Sequence, residues 1–136
     1  MLTKLAVTVS EMLDEALEPL NLRLRHYRLL LLLEAEGERA QSSIGAALGI
    51  DRTSVVALVD HLERMGAVER LRSADRRAYS VDITVKGRKL ARKALASVNA
   101  AENRIYAPLS PAERETLRKL SAQVLLTVDP VLSQEH

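Results

Sequence analysis

"LGIDRTSVVALVDHLERMGAVERLRSADRRAYSVDIT", Leu48 to Thr84, is the part of the chain in which two hydrophobic periods meet. In its first half, Asp51 is a good N-cap, and Val55, Leu58, Val59 and Leu62 recur at helical spacing until Gly66. In its second half, Ala67 to Leu71 and Ala78 to Ile83 shift toward period two, with Tyr79, Val81 and Ile83 on one side. The polar, turn-like "RSADRR" between them predicts a β-hairpin, the only strand signal in the chain.

Outward from this stretch the chain reads as helix. On the N-terminal side, "AQSSIGAALGI" opens at Gln41 or Ser42, buries Ile44, Ala47 and Leu48, and closes at Gly49. Leu24 to Ala35 is apolar nearly all round, which predicts a buried central helix stopped near Gly37. Residues 3–18 carry Leu5, Val9, Leu13, Ala16 and Leu17 on one face and end before Pro19. On the C-terminal side, a long helix is predicted from about Thr84 to Tyr106, striped by Leu90, Ala94, Leu95, Val98, Ala101 and Ile105. Pro108 breaks it. "SPAE" at Ser110–Glu113 then has the form of a capping box, and Leu117, Leu120, Val124 and Val128 follow before Asp129-Pro130.

The short helix, the turn at Gly49-Ile50 and the capped helix have the proportions of a helix-turn-helix. A two-stranded wing straight after makes a winged helix, whose second helix fits the major groove while the wing reaches backbone or minor groove. The fold expected is therefore mainly α with a small β-hairpin. One domain over residues 1–136 is expected, with the winged helix at 38–84 and dimerisation helices at 1–20 and 84–136.

Charge supports an anionic partner through its distribution rather than its total. The 136 residues carry a net charge of only +2. Residues 51–93, however, hold eleven Lys/Arg against six Asp/Glu, and the remainder nine against twelve. A basic middle between mildly acidic ends suits a polyanion at the centre of the chain. The absence of cysteine excludes disulfides, thiolate nucleophiles and cysteine-ligated zinc. His26, His61 and His136 lie on separate segments, and no H-x-x-x-H pair, glycine-rich phosphate loop or nucleophile elbow occurs, so neither an enzyme nor a metal or cofactor protein is expected. The N-terminus, with Glu11, Asp14 and Glu15, is unlike a signal peptide, and the run Leu29 to Leu33 is too short to span a bilayer. A cytoplasmic location and no membrane partner are the expectation.

The stretch from Leu48 to Gly87 resembles the core of the MarR family of bacterial transcriptional regulators. The resemblance rests on the helix-turn-helix, the "LERMGAVER" step at Leu62–Arg70, and a wing in which Asp75, Arg77 and Thr84 match the family's D-x-R and final threonine. It is strongest over about residues 40–87, and the flanking helices share the family layout. It implies a homodimer with interlocked terminal helices, each protomer presenting one winged helix to half of a palindromic operator in double-stranded DNA. Arg77 matches the wing arginine that enters the minor groove, and Asp75 the aspartate that holds an arginine in place. Arg72 and Arg76 flank the same tip and are candidates for phosphate contacts.

On the second helix, Arg52, Thr53, Ser54, Val56, Ala57, Asp60 and His61 face away from the apolar stripe. All but Asp60 are candidate DNA contacts, and the first three sit at the N-terminal end where the helix dipole favours phosphate. Val56 and Ala57 depart from the family, which commonly has a polar residue there. They fit contacts to thymine methyls, weaker direct readout with more reliance on the wing, or a winged-helix adaptor for protein contacts. Gly45 departs too, since alanine is usual; a glycine there costs about 1 kcal/mol in a helix, so either close packing demands it or, the simpler reading, it has drifted. The resemblance further implies a small aromatic or anionic effector that releases a repressor from its operator, and Arg25, His26 and Tyr27 are the candidate pocket wall. Without cysteine, the peroxide-sensing branch of the family is excluded.

Overall fold

The computed structural model describes residues 1–72 and 78–129. Asp75, Arg76 and Arg77 of the expected wing tip lie outside them. The chain divides into two compact units, Met1–Ala101 and Glu102–His136.

In the first unit, α1 (Leu2–Leu17) runs into a single 3-10 turn at Glu18–Leu20, where Pro19 ends the α-helical hydrogen bonding. Asn21 then takes the left-handed conformation (φ 56°) that asparagine tolerates better than other side chains. This corner starts α2 (Leu24–Glu36). The Leu24 amide, which has no acceptor within its own helix, donates to Asp14 Oδ1 of α1 at 2.7 Å. Helix α2 buries Tyr27, Leu29, Leu30 and Leu33. It is not buried all round: Leu31 is 40% exposed and Arg25 and Arg28 face solvent, so the apolar run outlasts the buried face.

The sheet has three strands rather than two. A short β1 (Arg39–Ala40) pairs antiparallel with β3 (Tyr79–Ile83), which pairs with β2 (Val68–Arg72), in the order β1-β3-β2. Two residues are too short to carry a period-two signal, so β1 had no signature in the sequence. It is held by tertiary partners: Arg39 pairs with Glu36 and its Nε donates to Ser43 Oγ at 3.0 Å, while Ser80 on β3 donates to Glu38. Within β3, Val81 and Ile83 are buried, whereas Tyr79 is 42% exposed.

Between β1 and β2 lie α3 (Gln41–Leu48) and α4 (Arg52–Arg64). Ile44 and Leu48 of α3 and Val55, Leu58, Val59 and Leu62 of α4 close the core over α2 and the sheet. Helix α5 (Val85–Ile105) buries a face of small residues, Gly87, Ala91, Ala94, Val98 and Ala101, and leaves Leu95 46% exposed. Thr84 caps it by accepting from the Gly87 amide at 3.0 Å and ties it back by donating to the Gly66 carbonyl at 2.6 Å.

In the second unit, α6 (Pro111–Val128) starts with the capping box expected from "SPAE". The Glu113 amide donates to Ser110 Oγ at 3.2 Å, and the Ser110 amide to Glu113 Oε2 at 2.7 Å. Arg114 ties the helix to the preceding link through the Tyr106 and Leu109 carbonyls. No residue of α6 is buried within the chain, and Leu120, Val124, Leu125 and Val128 are exposed.

Candidate nucleic-acid interface

The turn between α3 and α4 bends the chain by 110°, within the range of a helix-turn-helix. Two glycines make so tight a turn attainable. Gly49 ends α3 in the left-handed region (φ 68°), which a β-carbon disfavours. Gly45 lies against the turn itself: a β-carbon there would stand 2.8 Å from the Ile50 carbonyl oxygen, and the Ile50 amide donates to the Gly45 carbonyl at 3.0 Å. Close packing, not drift, accounts for the glycine.

Asp51 caps α4. Its Oδ1 accepts from the Ser54 amide at 2.7 Å and its Oδ2 from the Ser54 hydroxyl at 2.9 Å. These bonds hold the Asp51 carboxyl below its ordinary pKa, since both favour the carboxylate. Ser54 is thus engaged in the cap and half-buried, while Arg52, Thr53 and Ala57 are exposed and Val56 is half-buried. The first turn of α4 therefore offers a guanidinium and a hydroxyl at the positive end of the helix dipole, then a small apolar surface.

The hairpin stands beside this helix. Arg72 faces Tyr79 across it, and the Arg72 guanidinium lies 5.9 Å from the centroid of the Tyr79 ring, a cation–π distance. Stacking leaves the charge of exposed Arg72 on the surface at the last described residue before the tip.

His61 sits at the other end of α4 from Arg52 and Thr53, against the α1–α2 corner. Its ring stacks on that of His26 with centroids 4.3 Å apart, and its Nε2 lies 2.7 Å from the Asn21 carbonyl oxygen. His26 Nδ1 accepts from the Arg23 amide at 2.9 Å. Burial first, then the positive charges that His61 and Arg23 can bring, pushes the His26 pKa down to about 4, with Asp14 opposing. The two histidines border a cleft of about 600 Å³ lined also by Glu11, Asp14, Glu15, Glu18 and Arg23. Arg25 borders a neighbouring cleft of about 580 Å³ with Arg28 and His26. Tyr27 is 5% exposed and belongs to the core rather than to a cleft wall.

Among the described residues, no group of three or more His, Asp or Glu is placed to hold a metal ion, and no single helix is long and apolar enough to cross a membrane.

Comparison with known proteins bears on what this arrangement is. The family model described as MarR family matches residues 20–78. The transcriptional repressor MprA of Escherichia coli strain K12 is 28% identical over 106 residues, which make up 76% of this chain and 60% of that one. The chain spans 60% of the length of the curated relatives it matches. A transcriptional regulator (MarR family) from Rhodococcus sp. RHA1 has the same fold, with a TM-score of 0.83 and 29% identity over 95% of this chain and 90% of that one. Over residues 20–78 the chain is similar to the MarR family.

A second solved neighbour is CouR from Rhodococcus jostii RHA1, whose structure holds p-coumaroyl-CoA. It matches with a TM-score of 0.80 and 28% identity over 95% of this chain and 89% of that one. Sequence reasoning had treated His61 as a groove residue and His26 as a pocket residue. In the fold they are neighbours, thirty-five positions apart in sequence. It also missed Arg70, seen only as the last letter of the "LERMGAVER" step. Arg70 reaches Gln41, Asp60 and Glu63. The available signal was Asp60 and Glu63 at i, i+3 on one face of α4, facing an arginine on the strand that follows.

Proposed function

We propose that the chain is a sequence-specific double-stranded-DNA-binding transcriptional regulator, acting as a repressor and working as a homodimer. The observation that carries this reading is α4 set at 110° to α3, its capped N-terminus exposing Arg52 and Thr53, with a basic wing immediately after. Arg52, Thr53, Val56 and Ala57 would face base edges and nearby phosphates, with Ser54 beside them holding the cap on Asp51. Arg72, Arg76 and Arg77 would meet the flanking backbone and minor groove, with Asp75 steadying an arginine. The names of the relatives, a transcriptional repressor and a transcriptional regulator, agree with it.

The exposed apolar residues of α1 and α6 support a two-fold partner: Leu2, Leu5 and Val7 on one, Leu120, Val124 and Leu125 on the other. The division of labour is 38–84 for DNA and 1–20 with 84–136 for dimerisation. A small aromatic or anionic effector tunes affinity in this reading, by analogy with the acyl-CoA-bound neighbour. Arg25 and His26, which border clefts, are its best-placed candidates here.

The exposed Ala57 beside half-buried Val56 favours one second reading, a winged-helix adaptor that binds protein. A gel shift against duplex from the chain's own promoter region, repeated at rising salt, separates the two. Nanomolar binding with a steep salt slope supports the regulator; micromolar binding without sequence preference supports the adaptor.

A further inference from the structure

Arg70 lies in the middle of the hairpin, opposite Val81. Its side chain is 17% exposed, and all three of its nitrogens donate to two other elements. Nε donates to Gln41 Oε1 at the start of α3 (2.9 Å), one terminal nitrogen to Glu63 Oε1 of α4 (2.9 Å), and the other to Asp60 Oδ1 of α4 (2.6 Å). The Arg70 amide also donates to Glu63 Oε2 at 3.2 Å. We propose that Arg70 is a positioning residue for DNA recognition, a brace that fixes the wing against α3 and α4 without itself touching DNA; this rests on the DNA-binding reading above.

Three properties carry the assignment. A guanidinium is a planar fork with fixed donor directions, so three acceptors on two helices and one donor on a strand hold an angle as well as a distance. Two carboxylates surround one guanidinium, which leaves the cluster with net negative charge and no attraction for phosphate. Arg70 is the covered member of the cluster at 17% exposed, against 43% for each carboxylate, so loss of its acceptors would leave a largely covered guanidinium short of partners.

The consequence is specific. Binding to arbitrary duplex needs only the sum of basic charges near phosphates. Reading a sequence needs α4 in the major groove and the wing on neighbouring backbone at once, so it depends on the spacing that the brace sets. Loss of the brace should therefore cost discrimination more than attraction.

The test uses the full chain and two probes: a palindromic duplex selected by the wild-type protein from a random pool, and a scrambled duplex of equal length. Arg70→Gln should weaken binding to the selected duplex roughly tenfold, with scrambled-duplex affinity and salt slope unchanged. The Asp60→Asn/Glu63→Gln double variant, which leaves Arg70 in place, should reproduce that pattern, and Arg70→Lys should recover part of the loss. Thermal melts confirm that each variant is folded, and the double variant carries the test if Arg70→Gln is not. Equal losses on both duplexes, with the salt slope reduced by about one, would make Arg70 a phosphate contact and overturn the brace; unchanged selectivity in the folded variants would overturn it too. If the wild type enriches no sequence, the DNA-binding reading fails first and the brace with it.

Discussion

His61 of α4 is stacked on His26 of α2, with ring centroids 4.3 Å apart, and this contact joins the second helix of the helix-turn-helix to the start of α2. The stack suits a neutral His26 imidazole. His26 Nδ1 accepts the Arg23 amide hydrogen, and a proton on that nitrogen would set donor against donor.

Stability should consequently depend on the protonation of His26. Its pKa falls from the ordinary 6.5 to about 4 because burial and the nearby His61 and Arg23 disfavour the cation, while Asp14 alone opposes them. A depressed folded-state value means that the unfolded chain binds the proton more readily. The contribution is full above about pH 6.5 and is lost as pH falls toward 4. Melting temperatures across this window should fall less steeply for His26→Asn, whose amide oxygen can still accept from Arg23, than for the wild type. Parallel slopes would remove His26 as the titrating group.

Two glycines should resist replacement although both lie in helices. A methyl at position 45 would crowd the Ile50 carbonyl oxygen at 2.8 Å. Alanine gains about 1 kcal/mol of helix propensity there, against an overpacking cost of about 1–3 kcal/mol, so Gly45→Ala should be mildly destabilising. A methyl at position 87 would overlap the Ala67 carbonyl and approach Ile83 Cγ1 at 2.8 Å. That carbonyl accepts the Thr84 amide at 3.0 Å, so it cannot retreat freely. Urea unfolding should rank Gly87→Ala well below Gly45→Ala, and the reverse order would mean that the strand beneath α5 yields more easily than the helix-turn-helix.

Much of this architecture was legible because it is written in local chemistry. Asp51, Ser110 and Glu113 announce helix starts through caps, and the change from period 3.6 to period two at Ala67 announces the wing. What sequence could not convey lies between elements distant in the chain. The strand β1 exists because Val81 and Ser80 offer it partners, and His61 turns inward because Asn21, left-handed after the 3-10 turn, presents a carbonyl. Gly45 looked optional because its reason is the Ile50 carbonyl across the turn. Leu120 and Val124 stand in the stripe expected of a dimerisation helix and are exposed within the chain, since periodicity marks an apolar face but not what covers it.

The basic residues at the two ends of the interface should separate by their signatures in DNA binding. Arg52 at the start of α4 and Arg72 at the base of the wing are exposed. As phosphate contacts, Arg52→Ala and Arg72→Ala should each weaken selected and scrambled duplexes alike and reduce the salt slope by about one. Arg77→Ala, at the expected minor-groove position, should weaken binding most while leaving the dimer intact. Unchanged affinity for Arg77→Ala, measured by fluorescence anisotropy, would remove the wing assignment.

The apolar surface of α6 should govern assembly. Leu120, Val124 and Val128 recur at i, i+4 and i+8 and are 55%, 61% and 67% exposed, with Leu125 49% exposed beside them. Within the chain, α6 has no fully buried residue, and Leu120, Val124, Leu125 and Val128 stand outside the protomer's core. Burying such side chains against a second copy is worth about 1.5–3 kcal/mol each when complete, enough for a few of them to decide the state. Leu120→Lys/Val124→Lys should shift the protein to monomers in light scattering at micromolar concentration. Operator binding should weaken with dimer loss, because each half-site would then be held alone. Caps and the α3–α4 core are untouched, so the helical signal in circular dichroism should persist. A variant that stays dimeric would place the interface elsewhere, with the exposed Leu2, Leu5 and Val7 of α1 as the next surface to change.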